Sequence, residues 1–267
     1  MTERVFVLGA GRAGRGLARA LRLGGVDVVG LHGRHTGDIQ DHVTVGALPA
    51  ALGDATTVLV TVRDAQLDAA LRELAVSPLG DDAVVLHASG SADPPALVEL
   101  RSRGHAAGTF HPLVPLADPD RAPALLRDAW IGLDGDDAAR ARGRALAAAL
   151  GAHSLDIPAG RKPLYHAAAV LVSNFPPVLL ALGERAMAEA GLPRDLARQA
   201  LLPLWTAAAE NARAAQFPAS LTGPAVRGDL ETIRANMEAL AGDPTAQEVY
   251  RVVTEAIQAM IRESGKR

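Results

Sequence analysis

A short apolar segment followed by a glycine-rich loop, close to residue 1, constrains the fold of this chain more than any other feature. Residues 5–8 are four consecutive apolar residues, which predict a buried strand. The next six residues, Gly9-Ala10-Gly11-Arg12-Ala13-Gly14, fit the spacing G-x-G-x-x-G, and residues 12–23 have the periodicity of a helix. This strand–turn–helix context predicts a dinucleotide-binding unit.

Each glycine of the loop meets a different steric requirement of a dinucleotide-binding turn. Gly9 allows the tight turn, Gly11 lets the backbone approach a pyrophosphate, and Gly14 lets the helix pack closely on the strand. The unpaired N–H groups at the helix N-terminus then face the phosphates. The alternative is a glycine-rich turn that holds no ligand.

The end of the next predicted strand indicates which nicotinamide cofactor binds. An acidic residue about 20 positions past the loop would bind the ribose 2′-hydroxyl of NAD, but Arg34 and His35 stand there instead. Positive charge favours the 2′-phosphate of NADP over NAD, although Arg34 could also be an exposed turn residue. The predicted cofactor-binding residues are Gly9, Ala10, Gly11, Arg12, Ala13, Gly14, Arg34, His35, Val62 and Arg63.

Strand and helix patterns alternate over the first 157 residues, and after that point only helix patterns continue. Strands are predicted at 26–31, 43–45, 56–62, 83–86, 105–110, 129–133 and 154–157, with Asp64 as the N-cap of the helix that ends near residue 74. This alternation predicts a mainly parallel α/β Rossmann sheet. Helices are predicted at 162–190, 193–215, 227–241 and 245–264. We therefore expect an NADP-binding Rossmann domain at 1–157, an all-α C-terminal domain at 158–267, and a substrate cleft between them.

Composition narrows the possible partners. The net charge is −3, which argues against a nucleic-acid surface and favours a small-molecule partner. The chain has no cysteine, so thiolate metal sites are excluded, and no other convincing ligand cluster predicts a metal. We see neither a signal peptide nor a membrane span, since Asn174 and two prolines interrupt the most apolar stretch. These observations predict a cytoplasmic protein.

The candidate catalytic residues are Lys162, His166, Ser89, His111 and Asn174. Lys162 and His166 are four residues apart, so they share a helix face and could donate a proton to a carbonyl oxygen. Ser89 and His111 follow predicted strands and could position the substrate, with Asn174 as a supporting hydrogen-bond partner. Each has an alternative structural role: a solvent-exposed lysine, a packing histidine, a turn serine and a loop-capping histidine.

Several motifs together resemble the DUF2520 family. They are the glycine loop, His87-Ala88-Ser89-Gly90, Phe110-His111-Pro112-Leu113, Tyr165-His166-Ala167-Ala168-Ala169-Val170, Ser173-Asn174-Phe175, Leu202-Pro203-Leu204 and Leu221-Thr222-Gly223-Pro224 with Arg227-Gly228-Asp229. The resemblance implies a two-domain relative of pyrroline-5-carboxylate reductase, F420-dependent NADP oxidoreductase and 6-phosphogluconate dehydrogenase. It also implies a homodimer through the helical domain.

Two positions depart from the patterns of these families. β-Hydroxyacid dehydrogenases carry a catalytic lysine with an asparagine four residues later; Lys162 matches the lysine, but His166 replaces the asparagine. Members of the DUF2520 family tend to have a histidine after the Arg-Gly-Asp segment, where this chain has Arg234-Ala235-Asn236-Met237. Neither role is therefore carried over.

The leading hypothesis is an NADP-dependent oxidoreductase that transfers a hydride between the nicotinamide and a small carbonyl, imine or hydroxyacid substrate. A 2-dehydropantoate reductase-like enzyme is a more specific alternative, since such reductases share this architecture. A non-catalytic NADP-binding sensor or regulatory protein would keep the glycine loop without a competent proton donor. Deazaflavin F420 as the second redox partner is a further alternative.

Overall fold

The computed structural model describes residues 3–36 and 41–265. The chain divides into two compact units, Met1–Ser173 and Asn174–Arg267, because residues make most of their contacts within their own unit. The first helix after the sheet is thus grouped with the first unit. The domain boundary predicted at 157/158 stays a prediction.

The first unit is built on one eight-stranded sheet. Its strands are β1 (Arg4–Leu8), β2 (Asp27–His32), β3 (Val43–Thr44), β4 (Thr57–Val60), β5 (Val84–His87), β6 (Ala107–Pro112), β7 (Trp130–Gly135) and β8 (His153–Asp156). The order across the sheet is β3-β2-β1-β4-β5-β6-β7-β8. All neighbouring strands are parallel except β6 and β7, so the prediction of a mainly parallel Rossmann sheet is confirmed.

The described residues of this unit form the helices α1 (Arg12–Leu23), α2 (Asp64–Ala75), α3 (Ala96–Ser102), α4 (Ala122–Leu126), α5 (Asp137–Ala149) and α6 (Lys162–Ser173). A short 3₁₀ turn covers Ala50–Leu52. The predicted N-cap of α2 is wrong, because Arg63 occupies that position and the Asp64 carboxylate accepts a hydrogen bond from the Ser91 hydroxyl at 3.1 Å. Asp64 therefore ties α2 to the loop after β5.

The sheet has a hydrophobic core on each face, because side chains alternate along each strand. In β1, Val5 and Val7 pack with Leu17 of α1 and with Phe110 of β6. Phe6, on the opposite face, packs with the residues of α2 and α3 that include Leu71 and Leu100. Both cores are closed to solvent.

The second unit is helical throughout. Its helices are α7 (Phe175–Glu189), α8 (Arg194–Ala214), α9 (Pro224–Arg227), α10 (Leu230–Ala239) and α11 (Pro244–Ser264), with a 3₁₀ turn at Leu240–Gly242. The single helix predicted over 162–190 is wrong, because Asn174 separates α6 from α7 and prolines occupy the first turn of α7. Asp229 caps α10 as an oxygen acceptor for the Thr232 N–H at 3.1 Å.

The second unit buries very little of its own surface. Among its described residues, only Leu182, Ala197, Ala246 and Thr254 are buried. Large apolar side chains instead lie exposed on its helices: Phe175, Val178, Leu179, Leu192, Leu196, Leu204, Trp205, Leu230, Val252, Val253 and Met260. We call this set the exposed apolar surface.

One helical stretch in the described part of the chain, Lys162–Glu189, is long and apolar enough to cross a membrane by length and composition alone. It comprises α6 and α7 with the break at Asn174 between them. Length and composition do not distinguish a membrane span from an apolar helix at a protein interface.

Candidate functional site

The glycine loop between β1 and α1 has the geometry that its spacing predicts. Gly9 has a φ of +118°, and a Cβ there would lie 2.7–2.8 Å from atoms of Thr61, whose hydroxyl donates to the Gly9 carbonyl at 2.7 Å. A Cβ on Gly14 would collide with the same carbonyl oxygen. A Cβ on Gly11, in contrast, would meet nothing within 4 Å. Gly9 and Gly14 are thus required by the turn and its packing, whereas the space in front of Gly11 is open.

A cavity of about 730 Å³ opens beside this loop, at the carboxyl ends of β1, β2 and β4. The strand order reverses between β1 and β4, which is where doubly wound sheets bind ligands. The predicted cofactor residues that line the cavity are Gly9, Ala10, Gly11, Arg34, His35, Val62 and Arg63. Arg12, Ala13 and Gly14 continue the loop into α1 and are not among its lining residues.

Positive charge dominates one side of this cavity. Arg34, His35 and Arg63 are exposed and line it, and Glu73 is the one acidic side chain among the described lining residues. With its amide oxygen turned toward Arg34, Gln66 accepts hydrogen bonds from the guanidinium at 2.9 and 3.3 Å. Gln66 therefore holds the Arg34 guanidinium at the cavity wall, and because the Gln66 amide is neutral it does not compensate the charge of the arginine.

A second group of polar side chains lies at the carboxyl ends of β5 and β6. Nδ1 of His111 is 2.9 Å from the Tyr165 hydroxyl, and the two rings meet edge to face with centroids 5.6 Å apart. The ring of His166 lies 6.0 Å from that of His111. We call His111, Tyr165 and His166 the strand-end cluster.

Two glycines make room for the strand-end cluster. A Cβ on Gly90, in the loop after β5, would lie 2.6–2.8 Å from three atoms of the His111 ring. A Cβ on Gly132 of β7 would lie 2.7 Å from Cζ of Tyr165 and closer still to its hydroxyl. Both rings thus rest directly on backbone, which fixes where the histidine and the tyrosine meet.

Burial controls the protonation of this cluster. It lowers the pKa of His111 to about 4, with a further lowering from the nearby His166. It also raises the pKa of Tyr165 to about 12. At neutral pH the imidazole of His111 is therefore uncharged and the phenol of Tyr165 keeps its proton.

Lys162, the first residue of α6, is only 2% exposed. Its ammonium donates to the Ala92 carbonyl at 3.0 Å and to the Asp93 carboxylate at 2.5 Å, and a carboxylate oxygen of Asp134 lies 3.5 Å away. Lys162 and His166 share a helix, but the structure brings Lys162 to an ion pair and His166 to His111. The predicted proton donation by either residue stays a prediction.

The buried His87 lies within electrostatic reach of Lys162. Burial is the main cause that lowers its pKa to about 3, and the lysine charge adds to the effect. Its Nε2 lies 3.3 Å from the Thr109 hydroxyl, whereas its buried Nδ1 has no hydrogen-bond partner. His87 is therefore neutral in the folded protein.

The two remaining predicted site residues lie in the turn after β5 and at the start of α7. The Ser89 oxygen accepts hydrogen bonds from the backbone N–H of Ala92 at 3.1 Å and of Ser91 at 3.4 Å, so it shapes the turn after β5. Asn174 precedes α7 and is the first residue of the second unit. Their predicted roles toward a substrate stay predictions.

Tyr165 was not singled out as a catalytic candidate from the sequence. It lies three residues after Lys162, but nothing in the local pattern indicates that its hydroxyl meets a histidine 54 positions earlier. Among the residues that the structure describes, no group of three or more acidic or histidine side chains is arranged to hold a metal ion.

Residues 129–257 match the family model described as "Domain of unknown function (DUF2520)". This part of the chain is therefore similar to DUF2520 proteins. It begins at β7 and ends within α11, so it includes Gly132, Lys162, Tyr165 and His166 but not the glycine loop. The resemblance expected from the motifs is confirmed.

Solved structures resemble nearly the whole chain. A Bacteroides fragilis protein provisionally named an NADP oxidoreductase shares 22% identity with a TM-score of 0.77, and the match covers 97% of this chain and 98% of that one. Protein TM1727 of Thermotoga maritima shares 23% identity with a TM-score of 0.71 over 99% and 100% of the two chains. Pyrroline carboxylate reductase of Plasmodium falciparum, solved with NADP bound, shares 12% identity with a TM-score of 0.62 over 97% and 98%. At these identities the likeness establishes the fold. No curated protein matches the sequence.

Proposed function

We propose that this protein is an NADP-dependent oxidoreductase that transfers a hydride between the nicotinamide and a small carbonyl, imine or hydroxyacid substrate. The observation that carries the proposal is the cavity of about 730 Å³ between the glycine loop and the exposed Arg34, His35 and Arg63. The names of two solved structures with the same fold, an NADP oxidoreductase and a reductase with NADP bound, support it.

The charge at the cavity wall supports NADP rather than NAD. A 2′-phosphate carries up to two negative charges and pairs bidentately with a guanidinium. Arg34 stands at the end of β2, where enzymes that prefer NAD place a carboxylate for the ribose hydroxyl. Arg63, at the N-cap of α2, faces the same space.

When bound, the nicotinamide supplies or accepts the hydride. The glycine loop and the N-terminus of α1 hold the pyrophosphate. The strand-end cluster lies two strands beyond β4, about 10 Å along the sheet at ~4.8 Å per strand, on the same edge. We assign Lys162 an electrostatic role, because its ammonium is buried in an ion pair and lowers the pKa of both nearby histidines, His87 and His111.

A fluorescence titration of the purified protein with NADPH and, separately, with NADH tests the cofactor. We expect NADPH to bind at least tenfold more tightly than NADH. Arg34→Asp should remove that preference, whereas Arg103→Asp, an equal charge change at an exposed arginine outside the cavity, should keep it. A preference for NADH would overturn the choice of NADP and leave the oxidoreductase standing; no binding of either would overturn the proposal.

We further propose that a second copy of this chain covers the exposed apolar surface of the second unit. A unit of this length with four buried residues among those described gains little hydrophobic stabilisation by itself. Obligate homodimer interfaces are rich in such apolar side chains. The homodimer expected from the family resemblance would supply that cover.

Sedimentation velocity ultracentrifugation tests the second copy. We expect a dimer, and we expect Leu204→Glu on α8 to dissociate it, because a carboxylate would then be buried without a partner. Gln199→Glu, on an exposed position of the same helix, is the matched control and should remain dimeric. A monomeric protein that sediments without detergent would contradict the proposal, and a protein that requires detergent would favour a membrane-embedded apolar surface.

A further inference from the structure

The strand-end cluster contains a phenol, that of Tyr165, whose position is set by close contact with the backbone. The Tyr165 hydroxyl lies over Gly132 and the His111 ring lies over Gly90, so neither ring has room to slide toward its glycine. The 2.9 Å contact between them is therefore defined by β6, β7 and the first turn of α6. Neither ring is fully buried, which leaves the pair open to a ligand.

One of the two neutral tautomers of His111 directs the phenol proton of Tyr165 outward. With the imidazole proton on Nδ1, His111 donates to the Tyr165 oxygen, and the phenol hydrogen is then available to a third group. The neutral imidazole also stabilises the phenolate that remains after proton donation. The buried Nδ1 of His166, the residue after Tyr165, has no partner among the described residues.

We infer that Tyr165 is the proton donor to the carbonyl oxygen of a small aldehyde or ketone, and that His111 positions it. This inference rests on the proposed function. The hydride from the nicotinamide forms a C–H bond at the carbonyl carbon while the C=O π pair moves to oxygen. The oxygen takes the Tyr165 proton, and a solvent proton restores the phenol. Carbonyl, NADPH and one proton thus give alcohol and NADP⁺.

The protonation states of the cluster select among the three substrate classes of the proposed function. Hydride addition to a protonated imine gives a neutral amine, which needs no acid. Hydroxyacid oxidation needs a base that takes up the hydroxyl proton near neutral pH. The phenol of Tyr165, with a pKa of about 12, is not deprotonated there, and the imidazole of His111, with a pKa lowered to about 4, is too weak a base to hold that proton. Carbonyl reduction creates an alkoxide, a stronger base than the phenolate, so it takes the proton from Tyr165 favourably.

The chain offers a matched control, because Tyr250 is its only other tyrosine and its hydroxyl accepts a hydrogen bond from Asn236 at 2.9 Å. The experiment follows NADPH oxidation with a panel of short aldehydes and ketones. We expect at least one to be reduced. Tyr165→Phe should lower kcat at least 100-fold while the Kd for NADPH changes less than twofold. Tyr250→Phe should change kcat less than twofold.

A second variant tests the geometry without removal of the hydroxyl. In Gly132→Ala the added methyl must push the tyrosine hydroxyl away from β7, so kcat should fall while the Kd for NADPH is kept. The unchanged Kd also reports that each variant is folded. Equal rates in Tyr165→Phe and Tyr250→Phe would overturn the inference. So would NADPH binding without reduction of any carbonyl in the panel, which leaves the proposed cofactor intact; a lack of NADPH binding would instead overturn the proposed function.

Discussion

The two units of the chain differ in how far they bury their apolar side chains. In the first unit, the alternation of side chains along β1 closes one core on each face of the sheet, and Phe6 and Phe110 are wholly buried. In the second, long helices carry apolar residues on surfaces that the described part of the chain leaves open; Phe175 is 50% exposed. The sheet unit is complete by itself, whereas the helical unit is stabilised by its own packing only in part.

The candidate functional residues follow the same division. All eight histidines of the chain precede residue 174, and the cavity at the glycine loop and the strand-end cluster both belong to the first unit. The exposed apolar surface lies in the second. The difference teaches that a buried, rigid sheet can hold reacting groups in place, while an apolar helical surface is suited to association.

The largest expected effect is the loss of a core aromatic residue from the first unit. Phe110→Ala removes a side chain with 0% exposure, so we expect the free energy of unfolding to fall by about 3–5 kcal/mol. Urea denaturation monitored by circular dichroism measures it. A loss below about 1 kcal/mol would show that this core is not closed as described.

Acid should weaken the first unit through His87. Its pKa falls from 6.5 in the unfolded chain to about 3 in the folded protein, so only the unfolded chain binds a proton between those values. Stability is therefore complete above about pH 6.5 and is lost progressively as the pH falls toward 3. We expect the wild type to lose roughly 2 kcal/mol more than His87→Asn between pH 7 and pH 5, by urea denaturation. Equal losses would indicate that His87 is protonated in the folded protein.

Gly11→Ala should separate binding from stability within the first unit. The new methyl has open space and the φ of −75° suits alanine, so the urea midpoint should stay unchanged. The methyl lies where a pyrophosphate would approach, so the Kd for NADPH should rise at least tenfold, or about 1.4 kcal/mol. An unchanged Kd measured by fluorescence would place the pyrophosphate elsewhere.

The smallest loss of stability is expected for Phe175, the phenylalanine of the second unit that we compare with Phe110. Phe175→Ala should cost less than about 1 kcal/mol at protein concentrations where the chain is monomeric, because half of the side chain is already in solvent. Urea denaturation over a range of concentrations measures it. A loss as large as that of Phe110→Ala at every concentration would erase the contrast between the two units.

The sequence predicted the parts of the fold that depend on local pattern. The bounds of α1 were found to the residue, and a cavity opens beside the predicted glycine loop, because turn geometry and helix periodicity are encoded within a few adjacent residues. The antiparallel pairing of β7 and the short α4 were missed, since pairing direction depends on how a long connection returns to the sheet.

The candidate site was harder to predict for a related reason. The pairing of His111 with Tyr165 spans 54 positions and depends on two glycines, Gly90 and Gly132, on other strands or loops. The ion pair of Lys162 with Asp93 likewise joins residues that lie 69 positions apart. Such groups meet only in the folded chain. The spacing of four residues on α6 predicted that Lys162 and His166 act together, but it carried no information about their partners on other elements.

The strand order has a consequence for the precision of catalysis. The glycine loop follows β1, and the strand-end cluster lies where β6 ends, so the path between the two runs across β4 and β5 through continuous ladders of backbone hydrogen bonds. That path contains no hinge or linker. The separation between the glycine loop and His111, which positions the proton donor, is thus a fixed dimension of the sheet, insensitive to loop length. A change in substrate size must then be accommodated by side chains rather than by movement of these two elements.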